Sequence, residues 1–442
     1  LIEAWVSNGK LREAKGTVRL IGGRAYPLKL DFFKFKETSA SIRLEWKPPH
    51  GARQIIPERC LSPRVTERTV VVQQPFPPDD SSIGYERGSA VSKKWDEAAT
   101  FAAIEVANLV ADRLDALAGS APDDKQREAK VRAFCNRFVE LAFRRPLTPE
   151  QQRLFIDSRF APGKADTDSV KEVILLALKS PRFLYPDLGQ ADDHAVATRL
   201  ALGLWDSLPD AELLRAAAAG RLGSPEQARQ QALRMLRDPR SRAKLRSALH
   251  HWIGIDTAAG IAKDPEVFPG YDNALEADLR TSLNLFIDNV IWQRTGADFR
   301  KLLTADYLPF SERLAKFYGA KRVADAGEFA PTRFAQEERA GLLTHPYLLS
   351  LFSYHNTTSP IHRGVFVARR VLGRELKPPP EAIVFKNDEF DPHMTMREKI
   401  TYITRDGGCM SCHSLINPAG FALERFDGVG RTRQTEKGRP IN

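Results

Sequence analysis

Two hydrophobic periodicities divide the chain. Over residues 1 to about 64, apolar and polar positions alternate, as in Leu1-Ile-Glu-Ala-Trp-Val6, Gly16-Thr-Val-Arg-Leu-Ile21, Tyr26 to Phe35 and Ala40 to Trp46. A period of two marks strands that bury one face. Gly22-Gly23 and Pro48-Pro49 with Gly51 supply turns between them. From about residue 91 the period becomes helical. Trp95, Ala98, Phe101, Ile104, Ala107, Leu109 and Leu114 recur at helical spacing behind Ser92, a capping residue type.

The helical pattern then continues with clear punctuation. One helix is expected from about Asp124 to Arg145, where Pro146 stops it. Thr148-Pro-Glu-Gln151 and Ser224-Pro-Glu-Gln227 are both capping-box starts with proline at the first helical position. Further helices are expected over Val170 to Leu178, His194 to Leu208, Ser241 to Ile255 and Asn273 to Trp292. The pattern predicts a mainly α fold: multi-helical domains behind a β-rich N-terminal segment. The expected divisions are 1–64 (β), 65–90 (a Pro-rich linker containing Gln74-Pro-Phe-Pro-Pro), 91–187 and 188–332 (helical), and 333–442.

Composition adds little. The 442 residues include 66 basic and 56 acidic side chains, a net +10. The basic residues are scattered rather than gathered in one tract, which speaks against nucleic acid and leaves either a solvated surface or an anionic partner, a polyanionic glycan or an acidic redox protein. The longest apolar run, Val173 to Leu178, is far too short to span a bilayer. The chain opens on Leu1 and stops at Asn442, and both ends are expected to be cut.

The sharpest chemistry lies in Cys409-Met-Ser-Cys412-His413. Two thiols three residues apart with a histidine directly after fit covalent attachment of haem c, the thiols taking the vinyl groups and the imidazole the iron. A thioredoxin-like pair would follow a strand, yet Thr395 to Asp406 reads as a helix. A structural zinc site needs about four ligands, and no second C-x-x-C or H-x3-H occurs. A simple Cys409–Cys412 disulfide on a non-haem scaffold stays open. Cys60 and Cys135 are left to pair if the protein is exported. His250 and His251 are adjacent on a helix, so one is expected exposed and the other packed.

Two resemblances extend this. Arg24-Ala-Tyr-Pro-Leu-Lys-Leu-Asp31, Ile42-Arg-Leu-Glu-Trp46, Ile55-Ile-Pro57 and Leu61 resemble the later half of a protective-antigen-type β-sandwich, which implies binding to a polysaccharide. The helical part resembles the large secreted multi-domain proteins of planctomycete- and myxobacterial-type genomes, built from domains of unknown function around a cytochrome-c-like segment. The residues are Ala142-Phe-Arg-Arg-Pro-Leu-Thr148, Ser180-Pro-Arg-Phe-Leu-Tyr185, Arg199 to Asp210, Arg234-Met-Leu-Arg-Asp-Pro239, Thr358-Ser-Pro-Ile-His-Arg-Gly364, Pro378-Pro-Pro380, and Cys409 to His413 with Asn417-Pro-Ala-Gly-Phe-Ala-Leu-Glu424. The resemblance implies export to the periplasm or outside, covalent haem and a redox partner protein, with no established reaction. Asn417 stands where the family usually has Asp.

No methionine follows Met410, so a sixth iron ligand is expected from upstream: His355 first, then Met396 or Met394, with His393 and His362 also near in sequence. Arg363 and Arg431 are expected at haem propionates or in surface ion pairs, and Pro418 and Phe421 against the ring. Glu424 and Asp427 resemble a glycosidase carboxylate pair but are expected to be structural.

Overall fold

The computed structural model describes residues 12–35, 39–63, 69–77, 92–186, 191–256, 258, 260–293, 296–322, 328–334, 338–376 and 389–441. The expected strand Leu1 to Val6, the linker stretch 78–90 and the proline run Lys377 to Pro380 lie outside these residues. The chain separates into two compact units: residues 1–29 with 65–245, and residues 30–64 with 246–442.

In the first unit, α1 (Lys93–Ala111), α2 (Leu114–Ala118), α3 (Arg127–Phe143), α4 (Pro149–Phe155), α5 (Asp166–Lys179) and α6 (Pro181–Leu184) surround one core. Its centre is Val131, Cys135, Val139, Ile156, Val173 and Ile174. α1 buries the small side chains Ala98, Ala103 and Ala107, and it packs on α5. Small residues let two helices approach closely, so Phe101 and Ile104 of the expected stripe stay outside, exposed. Both capping boxes form. Gln151 N–H donates to Thr148 Oγ1 while Thr148 N–H donates to Gln151 Oε1, and Ser224 and Gln227 repeat the exchange. Ser92 occupies its cap position without a side-chain bond. A second core holds Ala197, Ala201, Trp205, Leu213 and Met235 of α7 (Asp193–Trp205), α8 (Ala211–Ala218) and α9 (Pro225–Met235). Trp205 Nε1 donates to the Met235 carbonyl, and the Arg240 guanidinium lies 3.7 Å over its ring. α10 (Pro239–Ile253) carries the chain across the division between the units.

The second unit contains β1 (Glu45–Trp46) and β2 (Gln54–Ile55), an antiparallel pair. The sandwich expected over 1–64 is therefore reduced, among the described residues, to this one two-residue ladder. Tyr26 to Phe35 makes no ladder, and its apolar side chains are open to solvent, Phe35 at 71%. Alternation shows that a strand has two chemically different faces, but a ladder also needs a partner edge.

The core of this unit is α11 (Asn273–Ile291), which buries Leu275, Leu279, Leu283, Phe286, Ile287 and Val290. Around it come α12 (Lys301–Thr304), β3 (Tyr307–Phe310), α13 (Glu312–Tyr318), β4 (Ala330–Arg333) and α14 (Pro346–Leu351), with β3 and β4 antiparallel. The chain ends in α15 (Pro360–Phe366), a π-helical turn over Val367–Val371, α16 (Met396–Ile403), α17 (Gly407–Phe421), β5 (Thr435–Glu436) and β6 (Arg439–Pro440).

His345 caps α14 in this core. Tyr347 N–H donates to its Nδ1, and its Nε2 lies 3.3 Å from Ser282 Oγ. Burial, aided by Arg339, holds its pKa down at about 3 against an ordinary 6.5. As pH falls through 6.5 the unfolded chain takes up this proton and the folded chain does not. Stability is then present above 6.5 and lost on acidification toward about 3. In His345→Asn, which keeps a cap acceptor, the loss between neutrality and about pH 5 should shrink by roughly 2 kcal/mol. Urea unfolding across pH measures it; parallel wild-type and variant curves would contradict it.

Candidate functional site

α16 starts at a capping box in which Glu398 N–H donates to Thr395 Oγ1 and Thr395 N–H donates to Glu398 Oε2. α17 follows after a short break and carries the C-x-x-C-H residues in its first two turns. Cys409, Cys412 and His413 stand at i, i+3 and i+4 and share one face. Ile416 and Gly420 continue that face as the seam with α15. A Cβ on Gly364 would lie 2.1 Å from the Ile416 carbonyl oxygen, and one on Gly420 would lie 1.9 Å from that of Pro360. Pairing 364 with 416 and 360 with 420 makes the helices antiparallel and brings them into backbone contact. That register continues past Phe366, so the π-helical turn packs along α17 toward its cysteine end. Such turns recur at functional sites.

The imidazole of His413 is held from behind. Its Nδ1 lies 2.9 Å from Asn417 Oδ1; Asn417 Nδ2 donates to Thr404 Oγ1 at 2.9 Å; Thr404 Oγ1 donates to the Ile400 carbonyl at 2.7 Å. Asn417 and Thr404 are buried, at 7% and 4% exposure, while His413 is half-buried. All four cysteines are unpaired: Cys409 and Cys412 half-exposed, Cys60 exposed, and Cys135 buried in the first unit, where burial pushes its thiol up to about 12.

The remaining sequence candidates lie as follows. Arg363 is buried, not in a surface ion pair. It is 1% exposed and its two terminal nitrogens donate to the carbonyls of Leu349, Leu423, Phe426 and Asp427 and to Ser353 Oγ. The burial has a simple cause: two helix ends converge here, and a guanidinium fork satisfies several of their oxygens at once. Glu424 is buried against Arg363, Arg433 and Thr358 Oγ1. Burial raises its pKa although both arginines oppose that shift. Asp427 accepts from the backbone N–H groups of Val429 and Arg431 and from Arg431 Nε, which closes a local turn. Phe421 is half-buried with the Arg397 guanidinium 4.8 Å over its ring, and Pro418 is exposed within α17. Met396 is buried at the start of α16, while His355, His362 and His393 are exposed and Met394 is half-buried. His250 is half-buried against Asn284, and His251 is exposed beside Asp256.

Sequence reasoning missed Thr404 and the part Asn417 plays. The signal available was the i, i+4 spacing of His413 and Asn417. Among the described residues no three His, Cys, Asp or Glu side chains converge as a metal-ion site, and no helix is long and apolar enough to cross a membrane.

The second unit thus presents a cysteine-and-histidine face on one helix, buttressed by a glycine-mediated helix pair. Residues 339–436 match the family model PSCyt3, described as a protein of unknown function (DUF1588). Residues 191–320 match a second, PSD4, also described as a protein of unknown function (DUF1592). No curated protein and no solved structure matches the chain.

Proposed function

We propose that the second unit holds one haem c, bound through Cys409 and Cys412 with His413 as axial ligand, and that the protein is an exported electron carrier. The observation that carries this reading is the donor set of α17: two unpaired thiols one turn apart, and between them and the seam an imidazole whose Nδ1 is engaged, leaving Nε2 without a hydrogen bond among the described residues. The thiols have the spacing for thioethers, and the imidazole has a lone pair for a metal. The syllable Cyt in the name of the model matching residues 339–436 agrees with it. When bound, the group supplies one-electron exchange, with a potential set by the axial ligands and their hydrogen bonds. Met396 and His355 are proposed as the upstream ligand pair from which the sixth position is filled. Covalent attachment places the protein in the periplasm or outside the cell, where its partner is another redox protein. The residues around β1 and β2 are proposed to contact a polysaccharide.

Expression with the periplasmic haem-attachment machinery should give a coloured protein whose pyridine haemochrome has a c-type α-band that survives acid-acetone extraction. Cys409→Ala with Cys412→Ala should abolish it. Little spectral response to cyanide or carbon monoxide is expected of a carrier, whereas ready binding would favour an oxidoreductase acting on a carbohydrate-like substrate. A colourless wild-type protein despite working machinery overturns the proposal and leaves a non-haem scaffold.

A further inference from the structure

We infer that Asn417 is a positioning residue that, anchored by Thr404, locks His413 in the Nδ1–H tautomer and so reserves Nε2 for a ligand. The direction of every proton in the chain follows from its far end. The Ile400 carbonyl is an acceptor only, so the Thr404 hydroxyl must spend its single hydrogen there, at 2.7 Å. Thr404 Oγ1 can then only accept from Asn417, which turns the amide nitrogen toward Thr404, at 2.9 Å. The amide oxygen is left facing His413, at 2.9 Å, and an oxygen accepts. Nδ1 therefore carries the hydrogen, and in the neutral ring Nε2 keeps its lone pair. Both anchoring side chains are buried, so a reversed amide would set its oxygen against Thr404 Oγ1, two acceptors facing each other away from water.

A neutral amide in this position differs in effect from a carboxylate. It orients the ring without pulling the Nδ1 proton strongly, so the imidazole stays a moderate donor to a metal. An aspartate would accept from His413 equally well. It has no hydrogen for Thr404, however, and its charge would make the ring more basic. The tautomer part of this inference stands independently of haem; the part concerning an iron rests on the reading above.

The test begins on the full chain before haem is attached, labelled with nitrogen-15 histidine, in alkaline buffer. His413 is assigned by the signal lost in His413→Gln. Its Nδ1 should appear protonated and its Nε2 bare, the tautomer ratio moved roughly tenfold toward Nδ1–H from that of a free side chain, the upper end of what one ordinary hydrogen bond provides. Asn417→Leu should return the ring to the Nε2–H form that a free side chain favours, Asn417→Asp should keep Nδ1–H, and Thr404→Val should give a mixture. The unchanged signals of the other eight histidines report that each variant folds. An Nε2–H ring in the wild type, or no change in Asn417→Leu, overturns the inference. In the haem-loaded protein the reduction potential should fall in Asn417→Asp relative to wild type; an unmoved potential removes the role toward iron while leaving the tautomer lock. Failure of any haem to attach, with the tautomer as stated, counts against the haem reading alone.

Discussion

Gly420→Ala is expected to force α17 away from α15 and to lower the stability of the second unit by about 3 kcal/mol or more, with Gly364→Ala close behind. The reason is geometric. The added methyl groups would sit 1.9 Å and 2.1 Å from carbonyl oxygens of the opposite helix, well inside van der Waals contact. What they meet is backbone, which has no rotamer to change, so the helices themselves must separate. Separation also strips Ile416 of its packing and loosens the register that sets the π-helical turn beside the cysteines. Haem attachment, where it occurs, should therefore fall together with stability. Gly408→Ala is the matched control in the same helix, because a Cβ there meets nothing within 4 Å. Alanine gains helix propensity, so that variant should be neutral or more stable by up to about 1 kcal/mol. Urea unfolding of the three variants decides the matter: equal, small effects at 364, 408 and 420 would mean that the glycines are incidental.

How much of this was legible in the sequence depended on the range of the interaction. The starts of α4 and α9 were readable from Thr148 and Ser224 because a capping box closes within four residues. The shared face of Cys409, Cys412 and His413 was readable because spacing alone places residues on a helix. Tyr26 to Phe35 was misread as a strand because alternation says nothing about a partner edge. The partners of Arg363 were not legible because they are mostly main-chain carbonyls, which exist at every residue and leave no mark in the sequence. The runs Thr358 to Gly364 and Asn417 to Glu424 stood out as carriers of the family resemblance. Their residues turn out to be largely each other's neighbours: Gly364 on Ile416, Gly420 on Pro360, Thr358 on Glu424. A motif carried by tertiary contact looks the same on paper as one carried by a cofactor.

Arg363→Met should cost the second unit roughly 3–5 kcal/mol, the range for removing one partner of a buried ion pair. Burial, aided by the Arg433 charge, draws its pKa down to about 10 against the opposing pull of Glu424 and Asp427, a sign that the fold, not solvent, must satisfy the charge. It does so with oxygens from three places: Leu349 near the end of α14, Ser353 just beyond it, and Leu423, Phe426 and Asp427 after α17. A cation is favoured at helix C-termini, where carbonyls lack N–H partners. After the substitution Leu349 still has the Ser353 hydroxyl, and Asp427 the N–H of Gly430, but each loses its charged donor. Glu424 retains Arg433 and Thr358. Arg363→Lys should recover less than half of the loss, since one ammonium with three donors cannot reach oxygens that a planar fork spreads over two sides. Arg431→Met gives the comparison. Its side chain is 37% exposed and its pairing with Asp427 is local, so the expected cost is under about 1 kcal/mol. Chemical unfolding of the three variants ranks them. If lysine restores wild-type stability, charge alone matters at this position and the fork geometry does not.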